Sequence, residues 1–211
     1  MNRRQFTGHL ATGAAIVAIS GEGLLLGGCN LYNDILNWVP VGEAALNSIL
    51  TVLTSNGVAI SPAIQSVVSL IEAGFTALTA AIKEYQSTSP APVGAIAKIQ
   101  TAFTDIVDNF STFLKSLSVS SGLVGIIVGL ANIVFSTIAA FQNQLPAPAS
   151  ARFSAAIREV HVGAVSQTVT SKLRTKRAFK KDFNSTLDTG AKAGLVIPKS
   201  AYLPLSVWEH L

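Results

Sequence analysis

The chain has 211 residues, of which 49% are apolar and only 12% charged, with a formal net charge of +4. That composition excludes a chain that is disordered along its length, which would be rich in charge and poor in apolar residues. A single cysteine excludes an internal disulfide framework. The charge is unevenly spread. Between residues 30 and 145 three basic residues (Lys83, Lys98, Lys115) stand against six acidic ones (Asp34, Glu43, Glu72, Glu84, Asp105, Asp108), whereas residues 146–211 carry ten basic and four acidic residues. Such a bias points to an anionic partner for the C-terminal part.

The chain opens Met1-Asn2-Arg3-Arg4-Gln5-Phe6, runs through a weakly apolar stretch from Leu10 to Leu26, and reaches Leu26-Gly27-Gly28-Cys29. A basic start, an apolar middle and small residues before a cleavage point are the parts of a secretory signal. Arg3, Arg4 and Phe6 give the start a likeness to a motif: Arg3-Arg4-Gln5-Phe6 resembles the twin-arginine signal by which bacteria export folded proteins. Asn2 and Thr7 stand where that family often has Ser and Leu, and Glu22 lies in an apolar stretch whose low hydrophobicity is usual for such leaders. Leu26-Gly27-Gly28-Cys29 resembles the bacterial lipobox. That resemblance implies that Cys29 receives a diacylglycerol and becomes the first residue of the mature chain, anchored to a membrane. Asn30, rather than Asp, follows the cysteine, which leans toward the outer membrane over the inner. The resemblance covers residues 1–29 and implies no fold or activity for the rest. The expected organisation is a signal peptide over 1–28, a lipidated N-terminal linker over 29–40, a helical bundle over 41–145 and a basic C-terminal segment over 146–211.

Four helices are predicted after the linker. The first runs from about Val41 to Thr54, with Leu46, Ile49, Leu50 and Leu53 on one side, and Asn56-Gly57 is a turn signal that ends it. The second starts at Ser61-Pro62, a cap and first-turn pair. Its apolar stripe (Ile64, Val68, Ile71, Phe75, Leu78, Ile82, Tyr85) steps by three and four. After a polar, proline-rich loop over residues 87–92, a third helix repeats the pattern at Ile96, Ile99, Phe103, Ile106, Phe110, Phe113 and Leu117. Two such helices joined by a short loop read as an antiparallel hairpin. The fourth, about Ser120 to Leu145, has no charge between Lys115 and Arg152. It is long enough to cross a bilayer, and Gly125-Ile-Ile-Val-Gly129 is a GxxxG element of the kind that pairs membrane helices. Yet one face (Leu123, Ile127, Leu130, Val134, Ile138, Phe141) is apolar and the other (Gly125, Gly129, Asn132, Ser136, Ala140, Asn143) is small or polar. A soluble bundle helix and a membrane-inserted helix both remain open.

Pro146-Ala-Pro148 reads as a linker. Ala155 to Val162 suits a helix, while Val160, Val162, Val165 and Val169 suit extended structure, and the alternatives stay open. Arg174, Lys176, Arg177, Lys180 and Lys181 then place five cations in eight residues. Phe179, Phe183 and Leu187 lie at i, i+4 and i+8, so the cluster is expected on an amphipathic helix from about Thr175 to Thr189, stopped by Gly190. Cations at a helix start oppose its dipole, so these five read either as a solvated face or as a contact for an anionic surface: lipid headgroups, an envelope polymer or an acidic protein patch. Nucleic acid fits an exported protein poorly.

The chemistry of catalysis is missing from the pattern. His9, His161 and His210 belong to no HExxH or His/Cys cluster, and no GxSxG, GxGxxG or phosphate-binding loop occurs. Glu159 and His161 would share a face only on a strand. Asp105 and Asp108 read as a solvated stripe. The fold expected is all-α, an antiparallel bundle of about four helices followed by a basic, partly irregular segment with one more helix. No cofactor and no metal is expected. The function expected is non-enzymatic: a lipid-anchored envelope protein that scaffolds or binds. The alternatives are a module for an apolar ligand or anionic envelope component, and a membrane-inserting or oligomerising protein.

Overall fold

A computed structural model of the chain describes residues 28–87, 94–145, 159–162 and 165–204. Five α-helices dominate the described residues: α1 (Gly28–Ser55), α2 (Pro62–Ser87), α3 (Ala95–Lys115), α4 (Ser121–Gln142) and α5 (Lys176–Lys192). A two-stranded antiparallel hairpin, β1 (Glu159–Val162) and β2 (Val165–Thr168), precedes α5, and a single 3-10 turn (Lys199–Ala201) follows it. The molecule is thus mostly helical. Of the two readings left open for residues 155–169, the strand is realised at 159–162 and 165–168.

The first difference from expectation lies in α1. Residues 29–40, expected as a linker, are helical, and the helix passes through Pro40. Proline in a helix interior lacks the N–H that would bond to Leu36 and costs roughly 3 kcal/mol. Burial of Leu31, Tyr32, Ile35, Trp38 and Val39 offsets that cost, since each fully buried apolar side chain contributes about 1.5–3 kcal/mol. Pro40 itself faces solvent. The helix ends as predicted, at Asn56-Gly57, where Gly57 adopts a φ of 79°.

Side-chain partners fix the helix directions. Tyr32 packs against Tyr85 with ring centroids 4.3 Å apart and the rings tilted by 37°, and Phe75 contacts Trp38 at 6.0 Å, so α1 and α2 run antiparallel. Lys98 Nζ bonds to both oxygens of Glu84 at 2.7 and 2.8 Å while Gly74 faces Ile106, so α2 and α3 are antiparallel too. Trp38 in the first half of α1 meets Phe141 near the end of α4 at 5.8 Å. Along α4 and α5, Gly129 faces Thr186 and Ser136 bonds to Arg174, again antiparallel.

α4 lies at the centre. From Leu123 to Gln142 nearly every side chain is buried, because α1, α3, α5 and the hairpin all pack on it. A helix that is apolar on every side needs such cover. The small face of α4 is what admits α5: Gly129 lies against Thr186, and Ile126 against Gly190. Gly190 is therefore an interior helix residue and not the expected stop. The stop is Gly194, at φ 89°, from which Leu195 N–H returns to the Gly190 carbonyl at 3.1 Å.

Beyond α5 the chain forms a strap over residues 195–204. Asn56 clips it to α1 by donating to the Val196 carbonyl at 2.9 Å and accepting from Val196 N–H at 3.0 Å. Ser48 donates to the Ala201 carbonyl at 2.5 Å. Asn184 on α5 does likewise with both backbone groups of Leu203, at 3.0 and 2.9 Å.

Candidate functional site

The five cations of residues 174–181 separate into two groups. Arg174 has a side chain only 11% exposed, with Nε donating to Asp182 Oδ2 at 2.9 Å and Nη1 to Ser136 Oγ at 2.5 Å. Lys180 is 2% exposed and its ammonium donates to the Pro204 carbonyl. Lys176 is half-buried and faces Asp34. Arg177 and Lys181 are exposed. The reason is angular. Lys176 and Phe183 are seven residues apart, as are Lys180 and Leu187, so each pair shares a face after two turns. Phe179, Phe183 and Leu187 define the buried side of α5, and Lys176 and Lys180 go with them. A single exposed face carrying all five cations is therefore not formed.

Lys172, at 3.9 Å from Asp182, joins Arg177 and Lys181 on the exposed side. This group sits where α5 begins, the level at which α1 also begins. Asp34, on the second turn of α1, is beside Lys176. Cys29 lies in the first turn of α1, five residues earlier, or about 8 Å along the helix axis. Arg3, Arg4 and Phe6 lie outside the described residues, as do the proline-rich linker at 146–148 and the last seven residues.

A partly open pocket of about 140 Å³ occupies this same end. Asp34 and Trp38 from α1, Phe141 from α4, and residues 173–176 leading into α5 line it. Trp38 is 2% exposed and touches Phe75, Phe141 and Phe179 through its ring. Its Nε1 is buried with no hydrogen-bond partner, and so is Asp34 Oδ2. Burial pushes the Asp34 carboxyl above the ordinary carboxylate range, and the Lys176 cation draws back part of that rise. Thr175 caps α5, its hydroxyl accepting from Ala178 N–H at 3.2 Å. The positive end of the α5 dipole thus borders the pocket. Nothing in the sequence pattern marked this site. Asp34 and Trp38, at i and i+4, would have signalled one only if α1 had been extended backward past Pro40.

A second, wider groove of about 470 Å³ runs between α2 and α3, lined by Ala77, Ala80, Ala97, Lys98, Thr101 and Asp105 among others. Its walls are mostly small side chains, and of its charged members Glu84, Lys98 and Asp105 the first two are paired. His161 lies on β1, and no group of three metal-ligating side chains is present among the described residues. Comparison of the chain with protein-family models, with curated proteins and with solved structures finds no match in any of the three.

Proposed function

We propose that this protein is an exported envelope lipoprotein, held to a membrane through Cys29, whose antiparallel helical bundle serves as a non-enzymatic scaffold or interaction module. The observation that carries the reading is the shared end of the molecule. The cysteine of the lipobox-like sequence stands in the first turn of α1, and the exposed cations Lys172, Arg177 and Lys181 stand where α5 begins, beside the first turns of α1. The diacylglycerol expected on Cys29 carries two acyl chains, enough for stable anchoring, and a basic patch on the same side adds about 1 kcal/mol per cation near an anionic surface. Absence of a linker between Cys29 and the core would hold the bundle close against the headgroups.

Two competing readings have less support. Three helices are apolar and long enough to cross a membrane (Leu31–Ser55, Pro62–Ser87, Ser121–Gln142). The most apolar of them, α4, has its side chains packed against α1, α3, α5 and the hairpin, so little of it is left for lipid. A carrier for an apolar ligand needs a mainly apolar cleft or cavity of about 300–1,000 Å³; the pocket near Trp38 is only about 140 Å³, and the groove of about 470 Å³ between α2 and α3 is open and edged by Glu84, Lys98 and Asp105.

Cys29→Ser tests the anchor. The expected result is loss of acyl labelling and release from the membrane fraction into the soluble envelope extract. Full membrane retention without acylation would overturn the reading and point to a helix as anchor. Arg177→Gln with Lys181→Gln, in the acylated protein, is expected to weaken binding to vesicles containing anionic phospholipid and to leave binding to neutral vesicles unchanged.

A further inference from the structure

The outer faces of α3 and α5 carry charges in complementary order. The exposed side chains of α3 include Asp105, Asp108 and Lys115, and those of α5 include Arg177, Lys181 and Asp188. Taken from the start of each helix, the signs are minus, minus, plus on α3 and plus, plus, minus on α5. The spacing matches too. Asp108 and Lys115 are seven residues apart, as are Lys181 and Asp188, so each pair repeats one side of its helix two turns and about 10 Å on. Asp105 precedes Asp108 by three residues and Arg177 precedes Lys181 by four, within about one turn in both cases.

The fold sets the two stripes at one height. Trp38 touches both Phe75 and Phe179 through its ring, and Gly74, next to Phe75, lies against Ile106. Ile106 and Phe179 therefore belong to one layer. Asp105 and Asp108 lie within about 3 Å of Ile106 along the helix axis, and Arg177 and Lys181 about 3 Å to either side of Phe179. The two helices also point the same way. α3 runs with α1, since α2 is antiparallel to both, and α5 runs with α1, since Asp34 is beside Lys176 and Trp38 beside Phe179. The stripes lie on different sides of α4. Phe135, which meets Phe110 of α3, and Gly129, which meets Thr186 of α5, are six residues apart and so about 120° apart around it.

We propose that a second copy of this chain docks side by side with the first in the same orientation, the α3 stripe of one copy against the α5 stripe of the next, so that Asp105 and Asp108 pair with Arg177 and Lys181, and Lys115 with Asp188.

The groups are available for that contact. None of Asp105, Asp108, Lys115, Arg177 and Lys181 is held in an ion pair among the described residues. Asp188 accepts from the Tyr202 hydroxyl at 2.9 Å on one oxygen and has a second. An anionic headgroup answers Arg177 and Lys181 but not the two aspartates; a second copy answers both stripes. Like stripes repel in this orientation, since α3 on α3 sets carboxylate against carboxylate and α5 on α5 sets cation against cation. The contact is thus heterologous, and each copy offers one half of it on either side. Exposed ion pairs are weak singly, so the contact forms and parts readily. A lipid on Cys29 would hold copies upright and raise their effective concentration, but the pairing of the stripes does not depend on it.

Thr112 and Ser185 are exposed and lie four residues beyond Asp108 and Lys181, so they report the contact. The test uses full-length chains carrying Cys29→Ser in mild neutral detergent, one with Thr112→Cys and one with Ser185→Cys, each with a single thiol. The two are mixed at about 1 mM, a concentration suited to a weak contact, and treated with a short bismaleimide. The mixture is expected to crosslink at least about fivefold more than either variant alone. Asp105→Lys with Asp108→Lys in the first chain is expected to abolish that excess, as is Arg177→Glu with Lys181→Glu in the second, and combining the two reversed chains is expected to restore it. Sodium chloride at about 0.5 M is expected to abolish it in the unreversed mixture. Equal crosslinking of mixed and like pairs would overturn the proposal. So would an excess that survives salt or either reversal, or reversed chains that fail to recover it while each keeps its helical circular dichroism. The mixed-against-like comparison and its salt dependence decide the matter even if a reversed chain folds poorly. No lipid is present, so these outcomes are independent of the Cys29 anchor.

Discussion

Gly74 of α2 lies so close to Ile106 of α3 that a methyl group on its Cα would come within 2.7 Å of Ile106 Cγ1. The two helices meet at that point with no room for any other residue. Gly74→Ala forces Ile106 or the helix to move, so a loss of about 1–3 kcal/mol is expected, the usual cost of overpacking. Chemical denaturation of the purified variant measures it, and an unchanged midpoint would show that the hairpin opens without cost.

The GxxxG pair on α4 permits an opposite expectation. At Gly125 an added methyl meets nothing within 4 Å, whereas at Gly129 it comes 3.1 Å from Thr186 Cγ2. Gly125→Ala should therefore gain about 0.5–1 kcal/mol from helix propensity alone. Gly129→Ala should gain less or lose. If the two glycines instead formed a membrane-dimer contact, both variants would be impaired alike, and thermal melts of the pair tell these cases apart.

Arg174 and Arg177 are neighbours with unlike roles. Arg174→Ala removes the bonds to Asp182 and Ser136 and leaves the part-buried Asp182 carboxylate with Lys172 at 3.9 Å and the buried Ser136 hydroxyl with its own bond to the Ile133 carbonyl, a loss of about 1–3 kcal/mol. Arg177→Ala touches an exposed side chain and should stay within about 0.5 kcal/mol. Equal effects in urea titrations would contradict the division of the cation cluster drawn above.

Asp34 gives a pH signature. Its carboxyl is held above the ordinary range by burial, with Lys176 opposing in part. The folded state then binds a proton more readily than the unfolded one, so stability falls as pH rises through the window just above the usual aspartate value of about 3.9. Asp34→Asn removes that penalty. Its melting temperature should exceed that of the unaltered chain at pH 7, and the difference should shrink toward zero near pH 3. A difference that is constant across this range would mean that the carboxyl titrates normally.

Lys180 separates charge from packing. Its ammonium reaches the Pro204 carbonyl while its stem lies in the core. Lys180→Met keeps the stem and loses the bond, for about 1 kcal/mol, whereas Lys180→Ala also opens a cavity and should cost about 2–4 kcal/mol. Denaturant midpoints of the two variants give the comparison.

Much of the helical layout was legible because it rests on periodicity. The stripe from Ile64 to Tyr85 and that from Ile96 to Leu117 mark α2 and α3, and Ser61-Pro62 and Asn56-Gly57 mark boundaries that the chain respects. Two errors share one cause, which is reading a breaker as a boundary. The sequence reads Pro40 as the end of a linker with α1 starting at Val41, but the five buried residues before it and the eight after it are held in one helix by tertiary packing that no local signal reports. Gly190 was taken to end α5, but it is small because Ile126 is close, and Gly194 has the positive φ. The pocket was hidden because it depends on where three separate segments meet. The cation cluster was half legible. Seven-residue spacing already ties Lys176 to Phe183 and Lys180 to Leu187, and the buried destiny of Lys180 follows once that helical wheel is drawn.

The strap over residues 195–204 has a consequence for biosynthesis. Its clasps join α1 to residues as many as 153 positions away, so α1 cannot complete its contacts until roughly the two-hundredth residue has emerged. Order of synthesis and order of completion run in opposite directions. A chain released early from a truncated message would carry α1 with one flank bare, and exposed apolar surface of that kind is what aggregation and degradation act on.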